Sequence, residues 1–209
     1  MTSKSTSAWA RPSGAFTLPG VPDLLRDLAR ILPDWCDGWY LFGAQAVQVW
    51  GHPRLSADVD VTIGLRSDDV GPFVAAMREA GFTMRVPDPE RFAAEVRVLP
   101  FVHSASGIPV DAILAGPGPE EEFLARARVV VIGGVRVPVI SPEDLVVTKI
   151  LAGRPKDLED VRGILRQMGA GFDSERVRSL LALLEAALDR SDLRTLFEDQ
   201  DRAAGKTKS

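Results

Sequence analysis

The stretch LSADVDVTIGL, residues 55–65, alternates polar and apolar side chains and predicts a β-strand over about residues 57–64. Successive side chains of a strand point to opposite faces, so Asp58 and Asp60 are expected on one face and the apolar residues on the other. Two like charges would then lie roughly 7 Å apart on one face. Such a face either meets water or lies beneath something positively charged.

A glycine turn is predicted just upstream of this strand. The segment WYLFG, residues 39–43, is typical of a short buried strand that ends in a glycine, and AQAVQVW, residues 44–50, favours a helix. A glycine at such a turn lets backbone N–H groups and the helix N-terminus approach an anion closely. Thirteen residues separate Ala44 from Asp58, enough for one helix and a return loop, and that loop carries Arg54.

A third carboxylate is expected on a later strand. The segments 95–102 and 107–114 are predicted as two strands joined by a turn, and Asp111 lies among the apolar residues of the second. Aspartates at i and i+2 on one strand, with a third on a neighbouring strand, could hold two Mg²⁺ ions about 4 Å apart. Two such metal ions would neutralise the negative charge of a nucleoside triphosphate during phosphoryl-type transfer. Asp111 would also stand where it could take a proton from the acceptor hydroxyl.

The composition excludes several classes of protein. The chain has 209 residues, a net charge of −4 and one cysteine, Cys36, so it has no internal disulfide framework and no global field for nucleic acid or acidic membranes. Cys36 is interpreted as a small core residue rather than a nucleophile. No apolar run is long enough to span a bilayer, and the polar N-terminus lacks the apolar region of a secretory signal. A cytoplasmic protein is expected.

Three segments are predicted along the chain: a loose N-terminal arm over residues 1–18, an α/β domain over 19–140 and an all-helical subdomain over 141–203. The α/β domain is expected to include a helix over 21–32, a helix over 67–82 and a hairpin over 128–140 that turns at Gly133 and Gly134. The helical segment begins with a serine cap at Ser141 and contains two further amphipathic helices.

The order of these features resembles the minimal nucleotidyltransferase fold of the polymerase-β-like superfamily. That fold has a glycine turn, then roughly nine to thirteen residues, then Asp-x-Asp, with a third carboxylate on a later strand. The stretch GAQAVQVWGHPRLSADVDV, residues 43–61, is most similar to the AbiEii-like nucleotidyltransferases of bacterial toxin–antitoxin systems. A lysine followed by a basic–Asp pair in SPEDLVVTKILAGRPKDLEDV, residues 141–161, continues the likeness, which covers about residues 38–165.

The resemblance implies an α/β (α+β) fold: a mixed-sheet nucleotidyltransferase core with a C-terminal helical bundle that closes over the nucleotide. It implies Mg²⁺-dependent transfer of a nucleoside monophosphate from an NTP to a hydroxyl, with two metal ions. The implied catalytic and metal-binding residues are Asp58, Asp60 and Asp111, and the implied nucleotide-binding residues are Gly43, Ala44, Arg54, Ser56 and Lys149.

Two features of the predicted nucleotide site leave its details open. Ala44 departs from the family, which has Ser or Gly there, so a hydroxyl contact to phosphate is absent while the backbone N–H remains. Asp157 or Asp160 is implied as a structural or a nucleotide-side residue.

The sequence leaves the identity of the acceptor open. AbiEii-like relatives imply a tRNA end or a protein side chain, together with a cognate antitoxin as partner; no membrane partner is expected. The segment from Ser141 carries 12 Lys and Arg against 13 Asp and Glu, which does not form the basic stripe usual in RNA binders. A small-molecule enzyme acting on aminoglycosides is an alternative, because an acidic protein attracts polycations. A non-catalytic nucleotide-binding or antitoxin-like module is another, favoured by Ala44.

Overall fold

A seven-stranded mixed sheet organises the first part of the chain in the computed structural model, which describes residues 19–52 and 56–205. The strands are β1 Trp39–Leu41, β2 Val59–Ile63, β3 Phe82–Met84, β4 Val98–His103, β5 Ile108–Leu114, β6 Arg128–Ile132 and β7 Val135–Val139. Their order across the sheet is β3-β4-β5-β2-β1-β7-β6. The central pair, β2 and β5, is parallel, whereas β1 runs antiparallel to β2.

The described residues divide into two units by their internal contacts: 19–45 with 56–140, and 46–52 with 141–205. The sheet unit carries helices α1 Val21–Ile31, α3 Val70–Glu79, α4 Pro89–Val96 and α5 Pro119–Arg126. Helix α2, Gly43–Trp50, begins in the sheet unit and continues into the helical unit. The predicted arm and Arg54 lie outside the described residues.

One face of the sheet is buried because the central strands alternate. Val59, Val61 and Ile63 of β2 are fully buried, and β5 alternates strictly between buried and half-buried positions. Aromatic rings extend this core: Phe73 of α3 meets Phe101 of β4 edge-on at 6.2 Å between ring centroids. Phe101 in turn lies 6.5 Å from Phe82 of β3. The half-buried positions of β5, among them Asp111, therefore belong to the opposite face.

The helical unit contains α6 Pro142–Ala152, α7 Pro155–Met168, α8 Ser174–Leu188 and α9 Leu193–Gly205. Helix α6 begins as predicted, since the Ser141 hydroxyl accepts a hydrogen bond from the Asp144 N–H at 3.1 Å. Arg176 of α8 donates to Asp144 of α6 at 2.9 Å, and Arg194 of α9 donates to Glu185 of α8 at 2.6 Å. Ion pairs that join neighbouring helices therefore recur in this unit.

Several predicted boundaries were wrong, and local capping explains the clearest of them. Residues 95–102 were expected to form one strand, but 95 and 96 end helix α4. Asp88 caps that helix by accepting the Arg91 N–H at 3.1 Å, and Arg97 ends it with a φ of 57°. The helix expected over 67–82 stops at Glu79, and Phe82 starts β3.

Among the α-helices and strands, α4, β3 and α9 were not predicted. A three-residue strand such as β3 is too short for its periodicity to be recognised. Among the described residues, no helix is both long and apolar enough to cross a membrane.

Candidate active site

Asp60 and Asp111 lie side by side on the two central parallel strands. The register of β2 and β5 makes them direct Cα partners. Partners on neighbouring strands project from the same face and are separated by about 4.8 Å, so the two carboxylates share one small patch of surface. Both residues are half-buried. Two of the three expected site aspartates are therefore neighbours in the fold, although they are 51 residues apart in sequence.

Gly43 makes room for Asp60. Its φ is +59°, in the left-handed region that glycine tolerates best. A Cβ atom on residue 43 would overlap Oδ2 of Asp60 and lie 3.0 Å from its Cγ. The preceding residue, Phe42, donates its N–H to the Asp60 carbonyl at 3.1 Å. The glycine turn therefore lies directly against one of the two carboxylates, and Ala44 follows it, buried, in the first turn of α2.

Asp58 occupies a different position from the one expected. Strand β2 begins at Val59, so Asp58 lies in the bend before the strand rather than on the strand face. The Ser56 hydroxyl donates a hydrogen bond to Asp58 Oδ1. Two of the predicted site residues, Ser56 and Asp58, are therefore in contact, but the alternation of the strand does not orient Asp58.

An arginine that the sequence analysis missed reaches this patch. Arg85, just after β3, forms an ion pair through its Nη2 with Oδ1 of Asp111. The two partners are 26 residues apart, so no local sequence pattern signals the contact. Only the strand register of the folded chain reveals it, because Arg85 continues β3, which the sequence did not predict, and lies across β4 from Asp111.

Lys149 lies in the helical unit and is almost completely buried. Its Nζ donates to Asp157 Oδ1 at 2.9 Å and to Asp160 Oδ2 at 2.8 Å. Arg154 adds a second cation against Asp157. Burial alone would raise the pKa of Asp157, but hydrogen bonds from Arg154 and Lys149 outweigh it and lower that pKa below the ordinary 3.8. These bonds join α6 to α7, so Lys149 has a structural role. A contact between Lys149 and the nucleotide stays a prediction.

The donor set at the sheet patch suits Mg²⁺. In the described part of the chain, no group of three acidic, histidine or cysteine side chains is arranged as a metal cage. Mg²⁺ in nucleotide-dependent sites is usually bound through one or two carboxylates together with substrate phosphates, and it keeps several waters. The adjacent carboxylates of Asp60 and Asp111 provide that kind of incomplete oxygen site, and the absence of a Cβ at Gly43 makes room for the Asp60 carboxylate itself.

Two other side chains of the sheet unit, those of Cys36 and His103, belong to residue types that often react in enzymes. Burial raises the pKa of the Cys36 thiol to about 12, with a further contribution from Asp37, so the thiol stays protonated at neutral pH. His103 is buried at the end of β4, where its ring lies 2.7 Å from the Ser106 hydroxyl and 3.2 Å from an Asp27 carboxylate oxygen. Cys36 is therefore not poised as a nucleophile.

Comparison with known proteins finds a family model that matches the C-terminal part of the chain. A family model described as nucleotidyl transferase of unknown function (DUF2204) matches residues 119–204, which is under half of the chain. No curated protein matches the chain in sequence.

The solution structure of the antibiotic-resistance factor ANT(2'')-Ia is similar with a TM-score of 0.53 and 16% identity, covering 81% of this chain and 92% of that one. A crystal structure of ANT(2'')-Ia in complex with adenylyl-2''-tobramycin has the same TM-score and identity and covers 80% and 96%. An antigenic nucleotidyltransferase-like protein from Paracoccidioides brasiliensis has a TM-score of 0.50 and 19% identity, covering 85% and 90%. At these identities the likeness shows the fold: a mixed α/β architecture shared with nucleotidyltransferase structures.

Proposed function

We propose that this protein transfers a nucleoside monophosphate from an NTP to a hydroxyl acceptor, with release of pyrophosphate, in an Mg²⁺-dependent reaction. The observation that carries the proposal is the register of β2 and β5, which sets Asp60 beside Asp111. The glycine turn packed against Asp60 supports it, because a turn that opens a helix offers backbone N–H groups to a phosphate. The shared fold and the family match over residues 119–204 agree with this class of reaction.

Each residue of the patch has a role in this proposal. Asp60 and Asp111 would hold the metal. Asp58, whose carboxylate accepts a hydrogen bond from the Ser56 hydroxyl, keeps the metal-binding role that the resemblance implies. When bound, Mg²⁺ neutralises the triphosphate and favours attack by the acceptor oxygen. Asp111 would accept the proton of the acceptor hydroxyl. Gly43 and Ala44 would offer backbone N–H groups to the phosphates; Arg54 and Lys149 keep the nucleotide roles that the resemblance implies.

The acceptor is proposed to be of the toxin–antitoxin type, a tRNA end or a protein side chain, on the strength of the AbiEii-like stretch over residues 43–61. A small-molecule acceptor is the alternative that the same assay tests. The purified chain is incubated with Mg²⁺ and α-labelled NTPs in three parallel reactions, with a tRNA pool, a host protein extract or a mixture of aminoglycosides. Label on RNA or protein supports the toxin type, whereas label on the drugs replaces it with the antibiotic-modifying type.

The site is tested in the same assay with Asp60→Asn and Asp111→Asn. Each change keeps the side-chain shape and removes one charge, so transfer should fall at least about 100-fold. The matched control is Asp23→Asn, which neutralises an exposed aspartate of α1 and should leave transfer unchanged. Full activity of either site variant contradicts the assignment. Mg²⁺-dependent NTP binding without turnover on any acceptor would instead indicate a non-catalytic nucleotide-binding module.

A further inference from the structure

Five residues form a row across the sheet at the level of the carboxylate pair, each paired with the next on the neighbouring strand. The register pairs Asp60 with Asp111 and Asp111 with Pro100. Arg85 extends the row beyond Pro100, because its N–H donates to the Pro100 carbonyl at 2.8 Å, and Phe42 extends it beyond Asp60. We call Arg85, Pro100, Asp111, Asp60 and Phe42 the cross-sheet row. Paired positions share a face, so its side chains all project to the same side.

Pro100 lets Arg85 reach Asp111. The backbones of Arg85 and Asp111 are two strand spacings apart, about 10 Å, and a large side chain at the intervening position would block the path between them. The compact, buried ring of Pro100 occupies that position instead. The guanidinium of Arg85 therefore passes over β4 and pairs with Asp111 Oδ1.

Arg85 is anchored by its backbone while its side chain stays accessible. The hydrogen bond to Pro100 holds the main chain, whereas 38% of the Arg85 side chain and 34% of the Asp111 side chain remain exposed. The guanidinium can leave Asp111 by changing rotamers without breaking the sheet. An ion pair of this exposure contributes little to stability, so a divalent cation can compete with it.

We propose that Arg85 is a positioning residue that holds the Asp111 carboxylate beside Asp60 and is displaced from it when a divalent cation binds. This inference rests on the proposed function, since it takes Asp60 and Asp111 as the metal-binding pair. Arg85 offsets part of the like-charge repulsion between the two carboxylates in the metal-free protein. The same positive charge opposes the incoming cation, so Arg85 sets the cation concentration at which the site fills.

The test measures Mn²⁺ binding to the full chain by electron paramagnetic resonance, without nucleotide. Arg85→Met keeps the aliphatic stem and removes the charge, so it should bind Mn²⁺ about 3- to 10-fold more tightly than the wild type. Arg85→Lys retains a positive charge and should restore affinity toward the wild-type value. The difference between Arg85→Met and wild type should shrink at high ionic strength, because both partners are partly exposed to solvent.

Two further sets of variants complete the test. Arg91→Met removes another exposed arginine of the sheet unit, paired with Glu95 on α4, and should leave Mn²⁺ affinity unchanged. Asp111→Asn should weaken binding and abolish the gain when it is combined with Arg85→Met. In transfer assays, Arg85→Met should lower the Mg²⁺ concentration for half-maximal rate more than it alters the maximal rate.

The outcomes separate the two proposals. If Asp60→Asn and Asp111→Asn weaken Mn²⁺ binding but Arg85→Met binds as the wild type does, the role of Arg85 is wrong and the metal pair stands. If Arg85→Met binds Mn²⁺ less tightly than the wild type does, the role of Arg85 is also wrong. If neither protein binds Mn²⁺, the metal assignment fails and the role of Arg85 fails with it. If Mn²⁺ binds equally well to wild type, Asp60→Asn and Asp111→Asn, the metal assignment itself fails.

Discussion

The carboxylates of the sheet unit and those of the helical unit are held in opposite ways. Asp60 and Asp111 are half-buried neighbours on one face, and Asp111 is paired with an arginine that is itself partly exposed. Asp157 and Asp160 are buried, and both accept hydrogen bonds from the Nζ of Lys149, which is buried as well. The same residue type therefore appears once in an accessible acidic pair and once in a closed, neutralised cluster.

This difference distinguishes residues that form a functional site from residues that stabilise the fold. A buried ion cluster loses solvation when it forms and is strongly destabilised when one member is removed, so its residues are expected to matter for stability. A half-exposed carboxylate pair contributes little to stability but attracts cations, so its residues are expected to matter for binding and catalysis. The following predictions test this division.

The largest loss of stability is expected from Lys149→Met. The methionine fills much of the same volume but leaves Asp157 and Asp160 buried without the ammonium that joins them. The free energy of unfolding should fall by about 3–5 kcal/mol, measured by urea denaturation. Asp111→Asn, measured in the same way, should change it by less than about 1 kcal/mol. Equal losses of unfolding free energy in the two variants would contradict the distinction between functional and stabilising aspartates.

An intermediate loss is expected from Gly43→Ala. An alanine at a φ of +59° is strained by about 1 kcal/mol, and its Cβ would also push against the Asp60 carboxylate. The matched control is Gly107→Ala, at a φ of +70°, where an added Cβ meets nothing within 4 Å. Gly43→Ala should therefore cost more than Gly107→Ala in urea denaturation, and of the two only Gly43→Ala should weaken Mn²⁺ binding. Equal behaviour of both variants would show that Gly43 serves only the turn.

A smaller effect on the free energy of unfolding is expected from the protonation of Asp157 in acid. The folded-state pKa of Asp157 lies below its ordinary 3.8, so its contribution to stability is fully present above that value and is lost as the pH falls through the lower folded pKa. The free energy of unfolding, followed from pH 6 down to about pH 2, should decline less steeply in Asp157→Asn than in wild type. An unchanged slope would show that Asp157 does not titrate in this way.

The smallest effect is expected at the exposed pair of Arg91 and Glu95, separated by 2.9 Å on helix α4. Such surface pairs are screened by solvent, so Arg91→Met should lower the free energy of unfolding by less than about 0.5 kcal/mol. A larger loss in urea denaturation would mean that exposed ion pairs contribute more to this sheet unit than the comparison with the helical unit assumes.

Local patterns predicted many of the elements. Helix α1 begins at Val21, where it was expected, the Ser141 cap starts α6, and the hairpin of β6 and β7 turns at Gly133 and Gly134. The signals for these elements lie within a few residues of one another, in caps, turn glycines and periodicity. The same local reasoning placed the start of the acidic strand too early, before Asp58, and overlooked α4, because its cap at Asp88 was not recognised.

By itself, then, the sequence determined the mixed α/β class, the glycine turn ahead of an acidic strand and the helical C-terminal segment. Only the tertiary structure decided that Asp60 and Asp111 are direct register partners, that Arg85 reaches over Pro100 to Asp111, and that Lys149 donates hydrogen bonds to two buried aspartates. The physical reason is that strand pairing and helix packing depend on contacts between segments distant along the chain, whereas periodicity reports only which face of each segment is apolar.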